Sequence, residues 1–208
     1  VNLMMQNLLS HIEDNEKANN HNKITSKDKI VFGHPTIGKS FLKNQGDNKF
    51  ISLDDDYSTE INIKVRNIAD KYKVTPYQVK DGGTAKWNND YNTMMQQMFN
   101  IAKQKAISEN KTLFTSNTNL LKNNIESFDK VINLTDEEFN KRIQERGAKY
   151  DVKEWKQQIN DVISKIPSNK VILTDKYLSD LFSKGSGFAI SAYTKPIDKQ
   201  IGHLEGGG

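Results

Sequence analysis

The segment Gly33-His34-Pro35-Thr36-Ile37-Gly38-Lys39-Ser40 meets the pattern G-x-x-x-x-G-K-[ST] at every fixed position. The chemistry this pattern serves is phosphate binding. Its glycines let the backbone turn its amides inward to form an anion nest, and a helix starting at the end of the loop aims its positive pole at the same point. In such a loop Lys39 contacts the β- and γ-phosphates of a nucleoside triphosphate, and Ser40 offers its hydroxyl to Mg²⁺. All eight residues are candidate nucleotide ligands, with His34 occupying a variable position of the loop.

A second group is Leu53-Asp54-Asp55-Asp56-Tyr57, directly after an apolar run. Carboxylates at the carboxyl edge of a parallel strand sit in the crevice where α/β proteins bind ligands. Asp54 is a candidate to orient an acceptor hydroxyl, to act as a base, or to hold Mg²⁺ through water. Asp55 and Asp56 read as an acidic turn that caps the next helix. Arg142 and Arg146, two of only three arginines, are four residues apart on one predicted helix. That spacing places both on one face and suggests a guanidinium clamp on a transferring phosphate, with a solvated face paired to Glu138 and Glu145 as the alternative. The loop Asp81-Gly82-Gly83-Thr84-Ala85-Lys86-Trp87 leads into a helix bearing Tyr91, and Trp87 or Tyr91 is either core or a stacking platform for a base. Thr115-Ser116-Asn117 stands where many phosphate-binding loops are matched by an acidic residue, so either Mg²⁺ binding depends more on Ser40 and Asp54 or the protein binds nucleotide without turning it over. The four histidines are too scattered for a metal site.

These residues need strands to carry them. Ile30 to Phe32, Phe50 to Leu53, Thr112 to Thr115, Val131 to Leu134 and Val171 to Leu173 are short, nearly continuous apolar runs, as strands buried on both faces require. Helical patterns alternate with them: Ser40 to Asn44, Ile61 to Lys73, Tyr91 to Ser108, Asn119 to Phe128, Asp136 to Gly147 and Val152 to Ile166. The alternation predicts an α/β layered fold with a parallel sheet of five strands and right-handed crossovers. Thr135 followed by Glu138 predicts a capping box, and Pro167 closes the last long helix.

Three segments follow from this: an N-terminal helical arm and linker over 1–27, a phosphate-binding domain over 28–182, and a flexible C-terminal tail over 183–208. The arm's apolar stripe of Leu3, Met4, Leu8, Leu9 and Ile12 is expected to pack on the domain, with binding to a partner or a membrane as the alternative. The 30 Lys and Arg are interleaved with 26 Asp and Glu, so no basic stripe marks a nucleic-acid partner despite the formal charge of +4. The absence of cysteine excludes disulfides, thiolate metal sites and a thiol nucleophile. No run approaches the roughly 20 apolar residues of a membrane span, so a soluble protein without a membrane partner is expected.

The pieces GHPTIGKS at 33–40, KFISLDDDY at 49–57, TLFTSN at 112–117, VINLTDEEFNKRIQERG at 131–147, the helix around Trp155 and VILTDKYLSDL at 171–181 together resemble the P-loop nucleoside and nucleotide kinases. More narrowly, the chain looks like the small deoxynucleotide-kinase-like proteins of tailed bacteriophages. The resemblance implies the P-loop NTPase three-layer fold, with helices on both faces of a parallel sheet in the order 2-3-1-4-5. It implies ATP as phosphoryl donor with Mg²⁺, an acceptor site near Asp54, and a lid-like helix carrying Arg142 and Arg146. The expected activity is phosphoryl transfer to a nucleoside monophosphate, a deoxynucleotide in the first instance, in the cytoplasm of an infected bacterial host. The alternative is a catalytically degenerate nucleotide-binding or structural virion protein that keeps the kinase fold, with the terminal extensions open to a protein partner or virion assembly.

Overall fold

Ile30, Val31, Phe32 and Gly33 form strand β1, and all four are buried. Successive side chains of a strand point to opposite faces, so burial of all four means that both faces of the sheet are covered at its centre. The protein was analysed as a computed structural model describing residues 2–44, 49–147 and 152–183. The other strands are β2 (Phe50–Ser52), β3 (Thr112–Thr115), β4 (Lys130–Leu134) and β5 (Val171–Thr174). They form one sheet in the order β2-β3-β1-β4-β5, with every pairing parallel. Register is set at the centre by Phe32, which lies opposite Thr115 on one side and Val131 on the other. A parallel sheet puts all its strand C-termini at one edge, so the segments after Gly33, Ser52 and Thr115 emerge side by side.

The helices are α1 (Asn2–His21), α2 (Lys39–Asn44), α3 (Leu53–Asp56), α4 (Ser58–Tyr72), α5 (Pro76–Lys80), α6 (Lys86–Ser108), α7 (Thr118–Asn123), α8 (Asp136–Glu145) and α9 (Val152–Ile163). Phe50 of β2 meets Phe114 of β3 edge-on at 5.7 Å, and Phe99 of α6 stacks at 5.7 Å on Phe128 in the segment before β4, all within one apolar core. Two short helices were not foreseen. In α3 the Ser52 hydroxyl caps by accepting from the Asp55 amide, and in α5 Thr75 and Gln78 form a full capping box with Pro76 at the first helical position. The helix expected over Asn119 to Phe128 is shorter, since α7 stops at Asn123 and a 3₁₀ turn follows over Ile125–Ser127.

The box expected at Thr135 forms by half. The Thr135 hydroxyl accepts from the Glu138 amide, but the Thr135 amide donates to the Thr174 carbonyl at 3.0 Å. Glu138 accepts instead from Arg142 Nε at 2.8 Å.

The N-terminal arm departs from expectation. Leu3, Met4, Leu8 and Leu9 are 55% exposed or more, so the stripe of α1 does not pack on the domain. Among the described residues the chain joins the core at Ile24, which is fully buried, donates its amide to the Leu181 carbonyl at 2.7 Å and bridges in parallel to Phe182. Of the tail expected over 183–208, all but Ser183 lies outside the described residues.

Candidate phosphate-binding site

The loop between β1 and α2 is shaped by two glycines. Gly38 has φ of +102°, a conformation that L side chains rarely adopt. At Gly33 an added Cβ would come to 3.0 Å from Ile37 Cγ2, so a larger residue there would push on the Ile37 side chain. The loop's outer side is pinned by the segment after β5, where the Leu178 amide donates to the Ile37 carbonyl at 2.8 Å.

His34 belongs to the interior. Its ring is fully buried, edge-on to Phe32 and to Phe139, with Nε2 3.2 Å from Asn133 Oδ1. Asn133 Oδ1 also accepts from Lys156 Nζ at 3.0 Å. Burial first, and the nearby Lys156 charge second, push the imidazole pKa down to about 3. His34 is therefore neutral in the fold, with its side chain turned into the core. An unfolded His titrates near 6.5, so below that pH the unfolded chain takes up a proton that the fold refuses, and stability falls as pH falls. Between pH 7 and pH 5 the expected loss from this group is about 2 kcal/mol. Denaturant unfolding of wild type and His34→Gln at both pH values checks this: the variant should lose that much less, and equal losses would refute the assignment.

Lys39 is the first residue of α2 and its side chain is 1% exposed. Nζ donates to Asp54 Oδ2 at 2.7 Å and to Ser116 Oγ. Asp54 Oδ2 also accepts the Ser116 amide at 2.9 Å, and Oδ1 accepts the Thr115 hydroxyl at 3.3 Å. The carboxylate missing from the end of β3 is thus supplied in space from the end of β2. Local capping decides which of the three aspartates does this. Asp55 Oδ2 accepts the Ser52 hydroxyl at 2.8 Å and Asp56 Oδ2 accepts the Ser52 amide at 2.9 Å, as expected for a capping turn, which leaves Asp54 turned to Lys39.

Beside Asp54 opens a cavity of about 280 Å³ between α4, α5, α6 and the end of β3. Ser58, Asn62, Lys80, Tyr91, Ser116 and Asn117 contribute to its wall. Burial, then the charge of Asp54, push the Tyr91 phenol up to about 12, so it stays protonated and adds no negative charge to the cavity. Trp87 is instead packed on the core against Tyr72. Lys80, Ser58 and Asn62 carried no sequence signal, because their place at the cavity depends on the unforeseen α5 and on how α4 crosses the strand ends.

Arg142 and Arg146 are not brought together. Arg142 is 3% exposed, and its guanidinium donates to the Thr36 carbonyl at 3.1 Å, to the Asp175 carbonyl at 2.7 Å and to Glu138. One of its faces lies 3.7 Å from the Tyr177 ring centroid. Arg146 is exposed at the C-terminal cap of α8. The shared face expected of the pair is thus divided between core and solvent. Arg142 braces the loop between β1 and α2 against the segment after β5. Arg142→Ala should lower stability by about 2 to 4 kcal/mol, since Glu138 and two carbonyls lose their donor. It should also weaken any ATP binding at this loop, and Arg142→Lys, which lacks the planar fork, should recover only part of either. Unfolding curves and ATP titration test this; an alanine variant as stable as wild type but lacking turnover would restore the phosphate-clamp role.

For Mg²⁺ the donor set fits in kind: Ser40 follows Lys39 in the chain and the Asp54 carboxylate meets Lys39 Nζ, two oxygen donors too few to close a cage, as suits an ion that draws its other ligands from phosphates and water. Among the described residues no group of three or more His, Cys, Asp or Glu is placed to hold a metal ion by itself. Compared with protein-family models, curated proteins and solved structures, the chain matches none. Among the described residues no helix is long and apolar enough to cross a membrane.

Proposed function

We propose that the protein is an ATP-dependent phosphotransferase whose acceptor, a nucleoside monophosphate as the kinase resemblance implies, occupies the cavity beside Asp54. The observation that carries this is the placement of the Lys39 ammonium, at the end of a glycine-shaped loop, against a carboxylate that opens onto a cavity. Phosphoryl transfer asks for positioning and charge neutralisation more than covalent chemistry, and these groups supply both. Loop amides and Lys39 hold the triphosphate. Ser40 and Asp54 would hold Mg²⁺, which when bound neutralises charge on the β- and γ-oxygens. Asp54 then faces donor and acceptor together.

A coupled ADP-release assay with ATP and Mg²⁺ against ribo- and deoxynucleoside monophosphates tests the proposal. Acceptor-dependent release supports it; ATP binding with no release on any acceptor refutes the enzyme. One observation favours a different function, a nucleotide-binding structural component such as a virion protein: Leu3, Met4, Met5, Leu8 and Leu9 stand exposed along α1, as on a segment that meets another protein. Recovery of the chain in stoichiometric amounts from purified particles would favour that function.

A further inference from the structure

Helix α1 turns to water an apolar face of the kind a stable helix hides. Residues 2–11 are all exposed, and Leu3, Met4, Met5, Leu8 and Leu9 are each 55% exposed or more. Met4 and Leu8, like Met5 and Leu9, are four positions apart, so all four share one side of the helix. The sequence of α1 also holds five asparagines and two histidines, which are weak helix formers. A helix of that make-up draws its stability from packing its apolar face, so the stripe needs a cover.

The C-terminal segment of the chain starts out beside the foot of this helix. Ile24, three residues after α1, bridges to Phe182 and its carbonyl accepts the Ser183 amide at 2.9 Å, while Lys23 Nζ donates to the Asp180 carbonyl at 3.0 Å. Helix α1 ends at this junction and the chain from Lys184 leaves it, so a segment folding back along α1 runs antiparallel to it. The sequence beyond Ser183 carries what the stripe needs. Thr194 and Pro196 are signals for a helix start, as cap and first-turn residue, and Ile197, Ile201 and Leu204 follow at the i, i+4, i+7 spacing of one helical face. The lengths agree. Leu8 lies 13 positions before His21, about 20 Å along the helix. Residues 184–193 can span up to about 33 Å, which leaves slack for the reversal that the parallel bridge at Ile24 demands. The charges agree as well: α1 carries Glu13, Asp14 and Glu16 against Lys17 near the junction, whereas 184–199 carries Lys184, Lys195 and Lys199 against Asp198.

We propose that the segment 194–204 docks as a helix, antiparallel, on α1 of its own chain and covers the apolar stripe, with Ile197 opposite Leu8 and Ile201 opposite Met4. The tether favours this occupant over a second copy of the chain, because a short linker holds the segment at an effective concentration of about millimolar. The pair of helices then satisfies its apolar faces within itself, which is why α1 stands clear of the sheet. A protein partner that uses the stripe must first displace the tail, so the tail guards that surface.

The chain has no cysteine, so a pair of introduced thiols reports the contact without interference. In the full chain, Leu8→Cys with Ile197→Cys should form a disulfide within one chain under mild oxidation. It should form at least about tenfold faster than in Gln6→Cys with Ile197→Cys, where the first thiol lies on the other side of α1. Equal rates for the two pairs, or no bond in either, would overturn the proposal. Bonds between chains only would give the stripe to a second copy and overturn it as well. Hydrogen exchange supplies a readout without oxidation. Ile197→Asp combined with Ile201→Asp should speed exchange of the α1 amides beyond its first turn by at least about tenfold, and leave β1 and β3 as they are in the wild type. Unchanged exchange in α1 would mean that the tail does not cover it.

Discussion

Replacing Lys39 with alanine is expected to reduce phosphoryl transfer by at least about 100-fold on every acceptor the wild type uses. The reason lies in where the ammonium stands. It leaves the first turn of α2 at the strand edge, and its side chain is almost wholly enclosed, so no other described cation occupies that position. Lys80, the cation of the neighbouring cavity, sits on α5 and cannot substitute for a group fixed to the loop itself. Lysine differs from the loop amides in carrying a full charge, and it is the charge on the γ-phosphate that must be offset as the terminal bond breaks. ADP release in parallel assays checks this; a Lys39→Ala enzyme within a few-fold of the wild-type rate would mean that the loop is not the donor site.

The second large effect is on stability, and it is asymmetric. Lys39 is 1% exposed and Asp54 31%, so the two partners of this ion pair stand to lose different amounts. Asp54→Ala strands a buried ammonium whose remaining partner is the Ser116 hydroxyl, and should destabilise the unliganded protein by about 2 to 4 kcal/mol. Lys39→Met removes the buried charge and leaves a carboxylate that water reaches and that still accepts from Ser116 and Thr115. Its cost should be small. Combining the two changes should therefore bring stability close to that of Lys39→Met alone, and not to the sum of the single effects. Chemical unfolding of the four proteins measures this. ATP should then stabilise Asp54→Ala at least as much as it stabilises the wild type, because the phosphates give Lys39 the counter-charge it lacks. Equal destabilisation by the two single changes would show that the pair is not buried as described.

Much of this site could be seen in the sequence, and the parts that could not share a cause. Gly33, Gly38, Lys39 and Ser40 are contiguous, so their pattern survives in one dimension. The strands were visible because burial on both faces leaves unbroken apolar runs, and their observed order agrees with the order that the kinase resemblance implied. Asp54 was one of three adjacent aspartates, and Ser52, three residues before Asp55, was an unread signal: a cap at that position uses Asp55 and leaves Asp54 aside. Arg142 could not be placed from spacing alone. Spacing fixes which side of a helix a residue takes, but what lies on that side is tertiary, and the carbonyls that hold Arg142 belong to Thr36 and Asp175, 106 and 33 residues away. The stripe of α1 shows the same limit, since periodicity marks an apolar face without marking the surface that receives it.

The most direct test of the phosphate site is binding itself. Titration of Mg²⁺–ATP into the full chain, with adenosine as a control lacking phosphates, should give saturable binding for the triphosphate, far weaker binding for adenosine, and at least a tenfold loss of triphosphate affinity in Lys39→Ala, which corresponds to about 1.4 kcal/mol. Binding of ATP and adenosine with equal affinity, or a Lys39→Ala protein that binds ATP as the wild type does, would contradict the account.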